Sequence, residues 1–151
     1  SGLVGSEMCI RDRFEDMTKI WGTEKLGIRH GIATGDFDLD GDLDLVITTN
    51  GGPVYVVVNE SQVGNAIAVD LRMDGGNRQA IGAIVEISAN ELTQNQMVRT
   101  GSSYLSHSTT TLTFGIGSLE SIDRMTVWWP DGTKQDFFNL KFAFYRFDNP
   151  T

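Results

Sequence analysis

Ile67, Val69, Leu71 and Met73 alternate with Ala66, Ala68, Asp70 and Arg72, and this two-residue period constrains the fold more than any other feature of the chain. A helix would scatter the four apolar side chains around its axis, whereas a strand puts them all on one face. Similar short apolar runs recur over 83–88 and 109–114, each bounded by glycine, asparagine or aspartate, the residues that turns require. Two hairpins can be read directly. One joins 45–48 to 54–58 through Asn50-Gly51-Gly52-Pro53, and the other joins 125–129 to 134–138 through Pro130-Asp131-Gly132, both strong reversal signals. The aromatic stretch 142–147 supplies a last strand, and no segment carries the 3.6-residue period of an amphipathic helix. The expected class is all-β. From residue 65 onward the spacing predicts one antiparallel unit with a core of Ile67, Val69, Leu71, Val85, Ile87, Leu112, Phe114, Val127 and Phe137. Trp128 and Trp129 must face opposite sides of their strand, one buried and one partly exposed. Gly82, Gly101, Gly115 and Gly117 are expected where φ is positive or backbones approach closely.

Composition narrows the function classes. Seventeen glycines in 151 residues exceed the usual roughly 7% and agree with a turn-rich chain. Twenty acidic against twelve basic residues give a charge of -8, which repels nucleic acid and anionic membrane surfaces and attracts cations. No stretch reaches the ~18 apolar residues of a membrane helix. One cysteine and two histidines exclude a disulfide framework and give too few ligands for a zinc site. Residues 1–13, SGLVGSEMCIRDR, show no periodicity and resemble a translated sequencing adapter. They are expected to lie outside the core, with the natural gene continuing upstream of Phe14.

Residues 35–46 read GDFDLDGDLDLV, with carboxylates at Asp36, Asp38, Asp40, Asp42 and Asp44. Five acids in nine residues repel one another unless a cation sits among them. Oxygen ligands at alternate positions, with Gly41 permitting a sharp turn after the third, are what calcium needs. In such a loop Asp36, Asp38, Asp40 and Asp44 converge, while Asp42 contributes its backbone carbonyl. An EF-hand places a bidentate glutamate at the twelfth position. Here that position is Ile47, and the loop runs into a β-rich segment, so a β-type calcium loop is expected instead.

With Phe14-Glu15-Asp16-Met17-Thr18, the stretch from Gly31 to Leu45 and Asn50-Gly51-Gly52, residues 14–60 resemble an FG-GAP/VCBS repeat, the calcium-binding blade of integrin-type β-propellers. The resemblance implies ligand side chains at Asp36, Asp38, Asp40 and Asp44, the Asp42 carbonyl, and further repeats of the same chain upstream, since a propeller needs several blades. Asn77 to Ala83, Arg99 to Ser106, Phe114-Gly115-Ile116-Gly117 and Val127-Trp128-Trp129-Pro130-Asp131-Gly132 resemble the ASPIC/UnbV domain over residues 65–147. Together the two regions resemble the cartilage-acidic-protein-like family, read as a carboxy-terminal fragment. The implied architecture is a partial propeller-type blade or hairpin with a calcium loop, followed by a small antiparallel β-sandwich-like domain.

Catalytic signals are weak. Ser102, Ser103 and Ser106 lie near His107, but neighbours on a strand face opposite sides and no nucleophile elbow is present. Glu86, Glu91 and Glu120 show no pairing of the kind a glycosidase needs. The expected function is a non-catalytic, calcium-binding structural or adhesion-type module, extracellular or cell-surface with a periplasmic location as the alternative, and with a protein or glycan ligand. The alternative is a carbohydrate-binding accessory domain of a larger secreted enzyme, with Tyr104, Trp128 and Trp129 as candidate platform.

Overall fold

The computed structural model describes residues 29–38, 40–60, 64–101 and 104–150, and the expectation for residues 1–13 lies outside them. Among the described residues the alternating runs become ten strands, and no helix forms. The first three, β1 (Arg29–Gly35), β2 (Asp44–Thr49) and β3 (Tyr55–Val57), make an antiparallel sheet in the order β1-β2-β3. The β2–β3 hairpin predicted around Asn50-Gly51-Gly52-Pro53 is present. Gly51 supplies a φ of 67°, and the Thr49 hydroxyl donates to the Pro53 carbonyl at 2.7 Å.

The remaining strands form two sheets. β4 (Asn65–Arg72) lies between β10 (Phe144–Asp148) and β7 (Leu112–Gly117), and the four-stranded sheet runs β6 (Leu92–Met97), β5 (Ile84–Ala89), β8 (Ser121–Trp128), β9 (Lys134–Lys141). Their inner faces share one apolar cluster. Ile67, Val69 and Leu71 of β4 and Phe114 of β7 meet Val85 and Ile87 of β5 and Met125 and Val127 of β8, all essentially inaccessible to solvent. Burying each such side chain stabilises by roughly 1.5–3 kcal/mol. Every predicted core residue belongs to this cluster or packs on it. Phe137 is only partly buried, with its ring centroid 4.1 Å from that of Phe147.

Two expectations need correction. The unit is not wholly antiparallel, because β10 runs parallel to β4. After β9 the chain crosses from one sheet to the other and re-enters in the direction of β4. Arg146 stands opposite Asp70 in that register and donates to it at 2.8 Å, while Arg72 donates to the same oxygen at 3.0 Å. Asp70 is buried, so two guanidinium groups offset the cost of taking its charge out of water. Secondly, Gly115 has neither a positive φ nor a close neighbour, and a Cβ there would meet nothing within 4 Å. Gly82, Gly101 and Gly117 do adopt positive φ, at 95°, 68° and 61°. A close approach occurs instead at Gly64, where a Cβ would lie 2.7 Å from the Gly117 carbonyl oxygen.

Side chains close the sandwich where backbone pairing stops. On the β6 edge, Gln94 and Gln96 donate to the Gly115 and Thr113 carbonyls of β7, each at 2.7 Å. At the β8–β9 reversal Asp131 accepts from the Thr133 amide (2.9 Å) and hydroxyl (2.7 Å) and from the Asn149 side-chain amide (2.6 Å). That arrangement ties the turn to the end of β10. Asp136 of β9 accepts from the Thr126 hydroxyl at 2.6 Å and from Arg124 at 2.9 Å.

Phe114→Ala is expected to cost about 3–5 kcal/mol by urea unfolding. Phe138→Ala, on the exposed face of β9, is expected to stay within about 0.5 kcal/mol of the parent. Similar losses in both would refute the assignment of the inner face.

The two carboxylates generate a pH prediction. The Asp131 carboxyl is held below the ordinary range, chiefly by the Thr133 amide and then by the Thr133 hydroxyl and Asn149. Asp136 is held low by the Thr126 hydroxyl first and by Arg124 next. A pKa lower in the folded than in the unfolded chain contributes stability that is present above the unfolded value and is lost as pH falls through the folded one. The urea midpoint should therefore drop as pH is lowered through about 4. An Asp131→Asn, Asp136→Asn double variant should show a shallower drop, and an unchanged slope would show that these contacts do not couple to folding.

Candidate metal centre

The aspartate segment becomes the connection between β1 and β2, since β1 ends at Gly35, β2 begins at Asp44, and these two residues are cross-strand partners. Alternation carries the acids into a tight loop rather than along a strand. Gly41 turns it with φ 96°, a conformation that side chains disfavour. Its amide donates to Asp36 Oδ2 at 3.1 Å, and the Asp42 amide donates to Asp40 Oδ1 at 2.9 Å.

Three of the five acids come together. Carboxylate oxygens of Asp36, Asp38 and Asp40 all lie within 4.8 Å of one another. The Asp38 carboxyl is held above the ordinary range, by desolvation first and then by the charges of Asp40 and Asp44, against lowering by the Asp40 and Asp38 amides. Asp36 Oδ1 is buried and has no hydrogen-bond partner. Buried carboxylate oxygens are normally satisfied, which sets this atom apart from the other oxygens of the loop.

Asp44 stands apart from this group. It is fully buried, and its two oxygens accept separately from the Phe37 and Asn59 amides, each at 2.8 Å. Its carboxylate thus joins the loop entrance to the segment after β3. Each oxygen keeps a further lone pair, so the framework contact leaves room for a second role. The two amides that hold it carry no side-chain signature, and nothing in the sequence distinguishes this acid from its four neighbours.

The loop rests on the sandwich. A Cβ on Gly41 would lie 3.9 Å from that of Ala66, and a cavity of about 590 Å³ opens between Asp36, Asp40 and Asp42 on one side and Ala66, Ala68, Phe142 and Phe144 on the other. The small outward residues of β4 make that space. On the far side, the Thr109 amide donates to the Thr34 carbonyl at 3.0 Å, and the Thr34 amide donates to the Ser108 hydroxyl at 3.1 Å, joining β1 to the segment before β7.

The candidate platform residues separate. Trp129 is buried, with its indole N–H donating to Gln135 at 2.8 Å, whereas Trp128 is exposed on the outer face, as strand alternation requires. Tyr104 is exposed and its carbonyl accepts from the Ser106 hydroxyl at 2.9 Å. Of the serines near His107, Ser102 and Ser103 lie outside the described residues.

These features define a class: an all-β chain in which a two-sheet sandwich follows a small antiparallel sheet carrying an acidic loop. More particularly, residues 73–143 match the family described as ASPIC and UnbV. The match takes in β5 to β9 and leaves out the aspartate loop. The FG-GAP/VCBS resemblance therefore stands on the sequence motif alone. No curated protein matches the chain.

The geometry separates framework from cluster. Asp44→Asn places an amide group against one of two N–H donors and should destabilise by about 1–3 kcal/mol in chelator-containing buffer. Asp38→Asn, at the exposed end of the cluster, should not destabilise in that buffer. Urea unfolding in EDTA checks both, and a neutral Asp44→Asn would remove the framework role.

Proposed function

We propose that this chain is a calcium-stabilised, non-catalytic binding or structural module that works outside the cell or at its surface. The observation that carries the reading is the convergence of Asp36, Asp38 and Asp40 around a buried, unpartnered oxygen of Asp36. A hard divalent cation would satisfy that oxygen and remove the repulsion among the three carboxylates. The donor set is all oxygen, which suits calcium and disfavours zinc or copper. Asp36, Asp38 and Asp40 would hold the ion with their side chains, Asp42 with its carbonyl, and Asp44 by sharing a carboxylate that also anchors Phe37 and Asn59. The ion supplies charge compensation and no bond-breaking chemistry. Its effect is to fix the β1–β2 connection where it meets β4.

Weak calcium sites, with dissociation constants of ~0.1–1 mM, are typical of extracellular modules. Calcium outside the cell is abundant enough to fill a site of that strength, and the reading places the chain there, with a protein or glycan ligand as partner and further repeats of the same chain as neighbours. The ASPIC and UnbV match over residues 73–143 is compatible with this reading and assigns no reaction.

Thermal melting in EDTA and in calcium tests the proposal. At 100-fold excess over the dissociation constant the stabilisation should approach about 2.7 kcal/mol, and the melting temperature should rise accordingly. Asp40→Ala should abolish the rise, while Asp42→Ala should keep most of it, because only the Asp42 carbonyl is used. No calcium-dependent rise in the parent would sink the metal reading, and equal loss in the two variants would sink the ligand assignment.

A further inference from the structure

The geometry points to a second binding surface: we infer that the outer face of the four-stranded sheet binds an extended neutral glycan, with Trp128 and Phe138 as two stacking platforms. This inference rests on the reading of the chain as a binding module, to which it gives a ligand class, and is independent of the calcium loop. Strand register lays the face out in rows. Trp128 pairs with Ile84 on β5 and with Lys134 on β9, and Ile84 pairs with Met97 on β6, so the indole lies in a largely apolar row. Two residues along the strands, Asn95, Glu86, Thr126 and Asp136 are in register and form a polar row. Two residues further, Arg124 stands opposite Phe138. Trp128 and Arg124 share a strand, so the platforms are on the order of 13 Å apart at ~3.3 Å per residue.

Both rings are accessible and braced. Trp128 is 37% and Phe138 63% exposed. Lys134 Nζ lies 5.5 Å from the Trp128 ring centroid, and the Arg124 guanidinium lies 6.0 Å from that of Phe138, distances at which a cation is attracted to the ring. Arg124 is itself held by Asp136 through hydrogen bonds of 3.1 and 2.9 Å. Phe138 faces outward by alternation with Phe137, and the break in alternation comes only after it, at Asn139 with φ 54°, beyond which Leu140 packs on the core. Rings held in place before binding lose less entropy when a ligand arrives.

The polar row selects the occupant. Among the described residues the side chains of Glu86 and Asn95 have no hydrogen-bond or ion-pair partner, leaving one carboxylate and one amide to receive hydroxyls. A second protein sheet packed here would bury the unpaired Glu86 charge, which is costly. Nucleic acid and anionic surfaces are disfavoured by the charge of -8. A neutral glycan meets both demands, its C–H faces covering the rings and its hydroxyls bonding to the row between them. Platforms aligned along the strands favour an extended β-linked chain over a coiled α-linked one.

Isothermal titration of the full chain with cellohexaose, with maltohexaose and cellobiose as comparators, tests this. The parent should bind cellohexaose and should bind maltohexaose at least tenfold more weakly. Trp128→Ala should lower cellohexaose affinity at least tenfold, and Phe138→Ala should lower it for cellohexaose while leaving cellobiose unchanged, because only the longer ligand spans both rings. Tyr104→Ala should leave binding intact, and EDTA should not alter it. Circular dichroism and melting of each variant confirm folding. Absence of cellohexaose binding by the parent, unchanged affinity in folded Trp128→Ala, or binding lost in Tyr104→Ala or in EDTA would each overturn the assignment.

Discussion

The sandwich depends on two small sheets burying the same apolar layer. A sheet of three or four strands with one apolar face has little stability until that face is covered. Here Phe114 and the β4 trio of Ile67, Val69 and Leu71 are covered by Val85, Ile87, Met125 and Val127 from the other sheet. Two-residue alternation makes such a layer possible, because it collects apolar side chains on one face and leaves the other free for polar work. The outer faces are therefore where this chain carries its distinctive chemistry: the acidic loop against β4, and the aromatic and polar rows on β8 and β9.

Open edges are the weak point of any small sandwich, since unpaired backbone groups invite other strands. The Gln94 and Gln96 amides cover two carbonyls on the β7 edge. The exposed side of the first sheet is less guarded, with Val54 and Val56 both about 60% exposed.

Local patterns were legible in the sequence, and long-range relations were not. The hairpins around Asn50-Gly51-Gly52-Pro53 and Pro130-Asp131-Gly132, strand β4 and the opposite fates of Trp128 and Trp129 all follow from alternation and turn chemistry within a few residues. Strand β6 escaped notice because Leu92–Met97 alternates polar with polar, its inward glutamines serving as hydrogen-bond donors rather than as core. Strand β1 has too few apolar residues and two glycines to display the period. The parallel course of β10 could not be read from its residues, since direction is set by how the chain returns from the other sheet. In the acidic loop the spacing led to an expected convergence of Asp36, Asp38, Asp40 and Asp44, of which the first three lie together. It did not reveal that Asp44 clamps two amides, because donors on the main chain leave no trace in residue identity.

The parallel pairing of β4 with β10 has a consequence for how the chain is made. Arg146 and Asp70 are separated by 76 positions, and β10 supplies a side strand to the sheet whose middle strand, β4, is synthesised first among the sandwich elements. On the ribosome one backbone edge of β4 must wait for its partner until residues 144–148 have emerged, after β5 and β8 have supplied the cover for its apolar face. Contacts this distant close slowly, and a nascent strand waiting in that state is exposed to wrong partners. The β4–β10 pairing is thus the last backbone connection of the sandwich that can form as the chain emerges, and it is the one most open to competition from other strands.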